Sequence, residues 1–280
     1  MKPARYVVVD VFAREPLAGN ALAVFHEPGS VDPSLMQKIA REMNLSETTF
    51  VTALSDDSYD VRIFTPFEEM PFAGHPTLGT SWTLRHLGAV KGERVIQRSQ
   101  AGETPVTFEA DRVWLERGGT TGGDLADVGR IAGALDVDPG AIGFDATAIG
   151  GPSAVLRPAK ADGGIPLLIV PFASADRVAT LHIPTSVEVA GGVYCIAPLG
   201  PGRLKARFFA PGLGVMEDPA TGGAAAALGI YLGERVGEIA VQIEQGSELA
   251  RPSVISLHAA PGRARVGGAV HPVLEGSLAL

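Results

Sequence analysis

The stretch AAAALGIYL, residues 224–232, would give a helix no polar face. A helix that is apolar nearly all round has to be buried on every side. One flat sheet face cannot do that, but a sheet curved around the helix can. The rest of the chain supplies the strands. YVVVDVF, ALAVFH, ETTFVTAL and YDVRIFTP fill the first third, followed by ERVIQRSQAG, ETPVTFEA and RVWLERG. IPLLIVPF, VYCIAPL and LKARFFAP come next, and the final section, AVQIEQGSELARPSVISLHAA, RARVGGAV and HPVLEGSL, is again strand and turn. Each strand is short, rich in β-branched residues and bounded by turn formers. Helical patterns are few: DPSLMQKIAREMN with its Asp-Pro start, HPTLGTSWTLRHLG, the short SADRVATLH and the Ala-rich segment. The expected class is α+β.

The two strongest helix mouths echo one another. F-x-P occurs at Phe64–Pro66 and again at Phe209–Pro211, an offset of 145 residues (66 to 211). His75-Pro76 pairs with Asp218-Pro219, and Gly79 with Gly222, at an offset of 143 (76 to 219, 79 to 222). The chain therefore reads as a duplicated domain, residues 1–120 and 121–263. The glycine-rich GGTTGGDLADVG marks the junction, and the final strand, about 264–280, is available to the first domain. Each half would be a strongly curved sheet feeding one largely apolar helix. Pro76 suits a first helical turn, Gly88 stands past the end, and His75, ahead of a proline, is expected at the N-cap. Halves that faced each other would aim two helix N-termini, positive ends of their dipoles, into one cleft with His75 and Asp218 at the mouths.

Composition narrows the partners. With 23 Lys+Arg against 31 Asp+Glu the net charge is −8, which argues against nucleic acid and anionic membranes. No apolar run reaches the length of about 18 residues that a membrane span needs, and the N-terminus goes straight into strand-like alternation without a signal-peptide pattern. The expectation is a cytoplasmic protein. Its mean hydropathy of +0.20 suggests a hidden homodimer interface. Cys195 is the only cysteine and reads as a buried strand residue. The six histidines are scattered without zinc-ligand spacing, so no metal is expected. Gly212–Gly214 lacks the rest of a dinucleotide loop, and GTSW is not a nucleophile elbow.

Five motifs, VDVFAREPLAGNALAVF, NLSETTFV, FTPFEEMPFAGHPTLG, RFFAPGLGVMEDPATGGAA and EQGSELARPS, appear in that order from the first strand to about Ser253. Together they resemble the phenazine-biosynthesis F (PhzF-like) isomerase family, within the diaminopimelate epimerase-like fold. The resemblance implies two pseudo-symmetric domains, each an open barrel around a central helix, and an active site between them that uses neither cofactor nor metal. It implies that Glu47, in Ser46-Glu47-Thr48-Thr49-Phe50, is the acid/base, with His75 and Asp218 as its catalytic companions. Ser46, Gly74, Thr221, Gly222 and Gly223 then line the substrate site. A typical member reads Thr-Gly-Ser-Ala where this chain reads Thr221-Gly222-Gly223-Ala224, so a hydroxyl is missing.

The function expected on this basis is a proton shift between carbons of a small carboxylated, cyclic or unsaturated, amino acid-like substrate. Glu47 needs its pKa raised by burial for that task, and the apolar residues after it could supply this. His is a mediocre cap, which hints at a side-chain role for His75, whereas Asp218 before Pro219 is what capping alone would select. Two alternatives stay open: a noncatalytic small-anion-binding protein on the same fold, and an epimerase that does not use a cysteine pair. The two-thiol racemase mechanism is excluded, because the chain has one cysteine.

Overall fold

The computed structural model describes residues 3–125, 127–184 and 191–279. The chain divides into two compact units. One combines the residues up to Glu116 with those from Gly267 onward, and the other is Arg117–Val266. No helix among the described residues is long and apolar enough to cross a membrane.

The first unit contains β1 (Ala4–Val11), β2 (Asn20–Phe25), α1 (Met36–Met43), β3 (Glu47–Leu54), β4 (Ser58–Phe64), β5 (Glu69–Met70), α2 (Gly74–His86), β6 (Arg94–Ser99) and β7 (Gly102–Glu109). β8 (Arg112–Gly118) runs across the boundary. β1 lies antiparallel to β2, β2 parallel to β3, and β3 antiparallel to β4. β4 is antiparallel to β5 and parallel to β6, and β6, β7 and β8 form a meander. α2 packs on β1, β2, β3, β6 and β7, so the sheet wraps it. Residues 74–81, 83 and 84 of this helix are all buried. The approach is close because Gly79 has no side chain: a Cβ there would stand 2.6 Å from Leu22 and 2.8 Å from Val11.

The second unit contains β9 (Thr120–Thr121), α3 (Val128–Leu135), β10 (Phe144–Asp145), β11 (Val155–Leu156), β12 (Ala159–Asp162), β13 (Pro166–Pro171), α4 (Ala175–Ala179), β14 (Val193–Gly200), β15 (Arg203–Ala210) and β16 (Val215–Asp218). α5 (Gly222–Val236), β17 (Ile239–Gln245) and β18 (Ser253–Ala260) follow, and β19 (Arg263–Gly268) crosses back over the boundary. The last strand, β20 (Val270–Leu278), pairs with β1 in the first unit. β12 to β18 retrace the plan of the first unit. β12 is antiparallel to β13, β13 parallel to β14 and β14 antiparallel to β15; β15 is antiparallel to β16 and parallel to β17. α5 packs on β9, β12, β13, β17 and β18 and is buried from Ala224 to Gly233. Each unit is thus a curved sheet around one apolar helix, as the Ala-rich stretch demanded.

Three sequence expectations change. α1 begins at Met36 rather than at the Asp-Pro, because Asp32 spends its carboxylate on the amide and hydroxyl of Ser34 (2.8 and 2.6 Å) and holds that segment as a turn. α3, absent from the sequence reading, starts where Asp127 accepts a hydrogen bond from the Arg130 amide at 2.8 Å. The internal repeat also has a different register. Arg62-x-Phe64-x-Pro66 does match Arg207-x-Phe209-x-Pro211 at 145. Both helices, however, start at an offset of 148 (Gly74 to Gly222), and Glu69, Pro71 and Gln97 match Glu217, Pro219 and Gln245 at the same offset. The second unit has three extra residues between its F-x-P and its helix, in a tight turn that ends at Gly214, φ +77°. His75 therefore corresponds to Gly223 and Asp218 to Met70, and the 143-residue pairing is wrong. A shared proline is a poor marker of helix start, since the mouth is set by where the strand ends and the first i to i−4 bond closes.

Candidate functional site

Neither His75 nor Asp218 caps a helix. The N-cap of α2 is Ala73, in extended backbone, and His75 is the second helical residue. The first turn closes on the Ala73 carbonyl, which accepts from the amide (3.3 Å) and the hydroxyl (2.8 Å) of Thr77. Pro76 costs nothing there, because its missing N–H belongs to the turn that has no intrahelical acceptor. The N–H groups of Gly74 and His75 belong to the same turn and lie at the positive end of the helix. The mild preference of a pre-proline residue for extended backbone gives way to the contacts His75 makes inside the unit.

Those contacts define a polar cluster. His75 is buried, its Nε2 3.2 Å from Glu47 Oε2 and its Nδ1 3.4 Å from Asn20 Nδ2. Glu47 opens β3, its side chain 17% exposed, and Asn20 opens β2 beside it. Burial pushes the His75 pKa down to about 3, so the imidazole is neutral near pH 7. The spacing to Glu47 would suit an ion pair, but desolvation of the enclosed ring decides its charge. Asn20 is reached through a loop of unusual backbone in which Phe12, Leu17 and Gly19 all take positive φ (60, 70 and 67°). Buried Asp10 holds that loop by accepting the Leu17 amide at 2.7 Å. Ser46 sits exposed in the turn before Glu47, and Gly74 opens the helix.

The second unit has its own polar mouth. Asp218 ends β16 and is buried. Thr221 is the N-cap of α5, yet its hydroxyl turns back to donate to Asp218 Oδ2 at 2.5 Å. Gln245 Nε2 donates to the Asp218 carbonyl (2.8 Å) and to the Thr221 hydroxyl (3.1 Å), while its Oε1 accepts from Tyr194 (2.9 Å). The preceding acid, Glu217, is committed to structure by a bidentate pair with Arg207 at 2.8 and 2.7 Å, both side chains buried. Gly222 is the first helical residue, and a side chain at Gly223 would meet nothing within 4 Å.

The structure thus groups Glu47, His75 and Gly74 at one helix mouth and Asp218, Thr221, Gly222 and Gly223 at the other. Sequence reasoning passed over Asn20, Asp10, Gln245 and Tyr194. The recurrence of Gln97 as Gln245 at the 148-residue offset could have pointed to Gln245, but the meeting of Asn20 with His75, 55 positions apart, left no local trace. Cys195 is buried in the β14 core beside Val170 and Phe209, and burial pushes its thiol well above the usual range, so it stays protonated. Among the described residues no group of three or more His, Cys, Asp or Glu could hold a metal. An open groove of about 470 Å³ lies at Gly119–Asp124, Glu234 and Arg235. Its cation, Arg235, is already engaged by Asp124 and Thr121 and lies over Tyr231.

The sequence matches the family of phenazine biosynthesis-like proteins over residues 9–276. It is 37% identical over 266 residues to a trans-2,3-dihydro-3-hydroxyanthranilate isomerase of Pseudomonas fluorescens, covering 89% of this chain and 88% of that one. The structure resembles a crystal structure of a PhzF-family phenazine biosynthesis protein of Bacillus anthracis over 100% of both chains, with a TM-score of 0.84 at 20% identity. It shares its fold with a hydroxyproline epimerase of Agrobacterium vitis at 12% identity and a TM-score of 0.64, over 100% of this chain and 93% of that one. The fold is that of the epimerases of the diaminopimelate type.

Proposed function

The chain belongs to the phenazine biosynthesis-like (PhzF) family, and from that premise we propose that it is an isomerase that moves a proton between two carbons of a small carboxylated substrate without a cofactor. The observation that carries the reading is the Glu47–His75 pair, 3.2 Å apart at the mouth of α2, where a carboxylate faces a neutral imidazole.

Glu47 takes the proton from a substrate C–H bond, and the electrons of that bond enter the neighbouring π system and shift the double bond. The resulting carboxylic acid returns the proton to a second carbon, so substrate and product are isomers and nothing is oxidised. The Nε2–H of His75 would donate to the Glu47 carboxylate, to either oxygen when it is ionised and to its carbonyl oxygen when it is protonated. N–H groups of Gly74 and His75 are placed to hold the substrate carboxylate. Asp218 takes the substrate's hydroxyl or amine, helped by the first turn of α5 at Gly222 and Gly223, with Ser46 flanking Glu47. The reading includes a cytoplasmic homodimer and a cyclic or unsaturated, amino acid-like substrate, of which trans-2,3-dihydro-3-hydroxyanthranilate is the first to try.

Proton NMR in D2O with that compound and a panel of small unsaturated or cyclic amino acids tests the reading. Wild type is expected to exchange deuterium into the substrate or to shift its double bond. Glu47→Gln should lose turnover by about 10²- to 10⁴-fold, the usual worth of a general acid/base, while still broadening the ligand signals. Equal ligand broadening by both proteins without exchange would favour the anion-binding alternative.

A further inference from the structure

The imidazole of His75 has two neighbours of fixed chemistry, one at each nitrogen. At Nε2 stands the Glu47 carboxylate, 3.2 Å away, and at Nδ1 the Asn20 amide nitrogen, 3.4 Å away. His75 and Asn20 are both almost fully buried, 4% and 1% exposed. An amide nitrogen only donates, so the ring nitrogen that faces it has to offer its lone pair. In a neutral imidazole the proton is then on the other nitrogen. We propose that Asn20 is a positioning residue: its amide NH2, by donating to Nδ1 of His75, holds the ring in the tautomer whose Nε2–H faces the Glu47 carboxylate.

The consequence for catalysis rests on the isomerase reading. With Nε2 protonated, His75 stabilises ionised Glu47, the form that can take a proton from carbon. With Nδ1 protonated, Nε2 would present a lone pair to the carboxylate and favour its acid form. Rotating the Asn20 amide by half a turn would put its carbonyl on Nδ1 and select that second state. The loop of positive-φ residues held by Asp10 delivers Asn20 to β2 and so fixes where the amide sits. Asn20 acts through His75 and touches no reacting atom in this scheme.

The test needs no substrate, so it stands apart from any failure of the isomerase reading. The full chain carrying ¹⁵N-histidine is examined by two-bond ¹H–¹⁵N correlation, with the His75 ring assigned by its absence in His75→Gln. Wild type is expected to show the Nε2–H tautomer, with the Nδ1 signal displaced from that of a lone pair without a donor. Asn20→Asp places an acceptor on Nδ1 and should convert His75 to the Nδ1–H tautomer, leaving the other five histidines in place as the control for folding. Asn20→Leu should return the Nδ1 signal to the undonated position. A wild-type ring protonated on Nδ1, or an undisplaced Nδ1 signal, overturns the proposal even if no variant folds. So does a His75 spectrum that Asn20→Asp leaves unchanged.

Discussion

His75 carries a charge penalty that can be read from the pH dependence of stability. Its pKa lies near 3 in the folded chain, against about 6.5 in an unfolded one. Between those values the unfolded chain binds more protons, so stability rises with pH across the window. The contribution is complete above about pH 6.5 and is progressively lost as the pH falls toward 3. Burial of the ring is what moves the pKa, and the cost across the window is on the order of a few kcal/mol. Urea midpoints at about pH 7 and about pH 5 should therefore differ more in wild type than in His75→Gln, and parallel slopes would refute a buried neutral ring. Gly223 lends itself to the opposite experiment, because it adds a group. Its Cβ position is open, so Gly223→Ser should fold as wild type does, with Tm within roughly a degree. If the hydroxyl reaches substrate, KM should fall about fivefold or more, the worth of one added hydrogen bond, and an unchanged KM would assign that place to the backbone N–H. At this scale the sequence shows which residue types are candidates for the chemistry. It hides which of them meet, because Asn20 and His75 are joined only through the sheet.

Elements are fixed by different physics at their ends and on their faces. The ends depend on short-range competition, as where Asp32 traps Ser34 and delays α1. The faces depend on what the sheet leaves room for. Gly79 and Gly229 lie where the central helices touch their sheets, and a Cβ on Gly229 would stand 2.5 Å from the Ala264 Cβ. Alanine gains about 1 kcal/mol of helix propensity over glycine, but forcing a methyl into a packed core costs about 1–3 kcal/mol. Gly79→Ala and Gly229→Ala should therefore lower Tm. Gly133→Ala on the exposed face of α3, where a Cβ meets nothing within 4 Å, should raise it by a few degrees at most. A scanning calorimetry series that gave all three the same sign would sink the packing argument. The apolar helix itself was legible, since no polar face is available to it. The mouth register was not, since three inserted residues displace the second helix start without changing the residue types around it.

The whole molecule repeats one plan twice, and the parts of that plan set by alternation and apolar runs could be read from the sequence. Arg62-x-Phe64 and Arg207-x-Phe209 even keep the same contacts, each arginine paired to a glutamate on the next strand and lying over its phenylalanine. Strand pairing across the length of the chain is harder to read, because any β-branched run can serve any edge. The last strand decides how the first unit is completed. β20 pairs with β1 at eight positions from Ala4↔Leu278 to Val11↔Val270, with a bulge between Val8 and Val9. Val7, Val8, Val9 and Val11 of β1 are buried. Eight ladder positions at about 0.5–1.5 kcal/mol each amount to roughly 4–12 kcal/mol. That is comparable to the whole net stability of an ordinary domain, about 5–15 kcal/mol. A chain ended at Gly268 should therefore lose its cooperative far-UV circular dichroism transition and most of its soluble yield, with β1 left as an open, valine-rich edge prone to pairing between chains. Ending the chain at Leu278, which keeps every paired residue, should leave the transition in place. If the Gly268 form still melted as a single transition near the wild-type temperature, β20 would be an accessory to the first unit and its core would be complete without it.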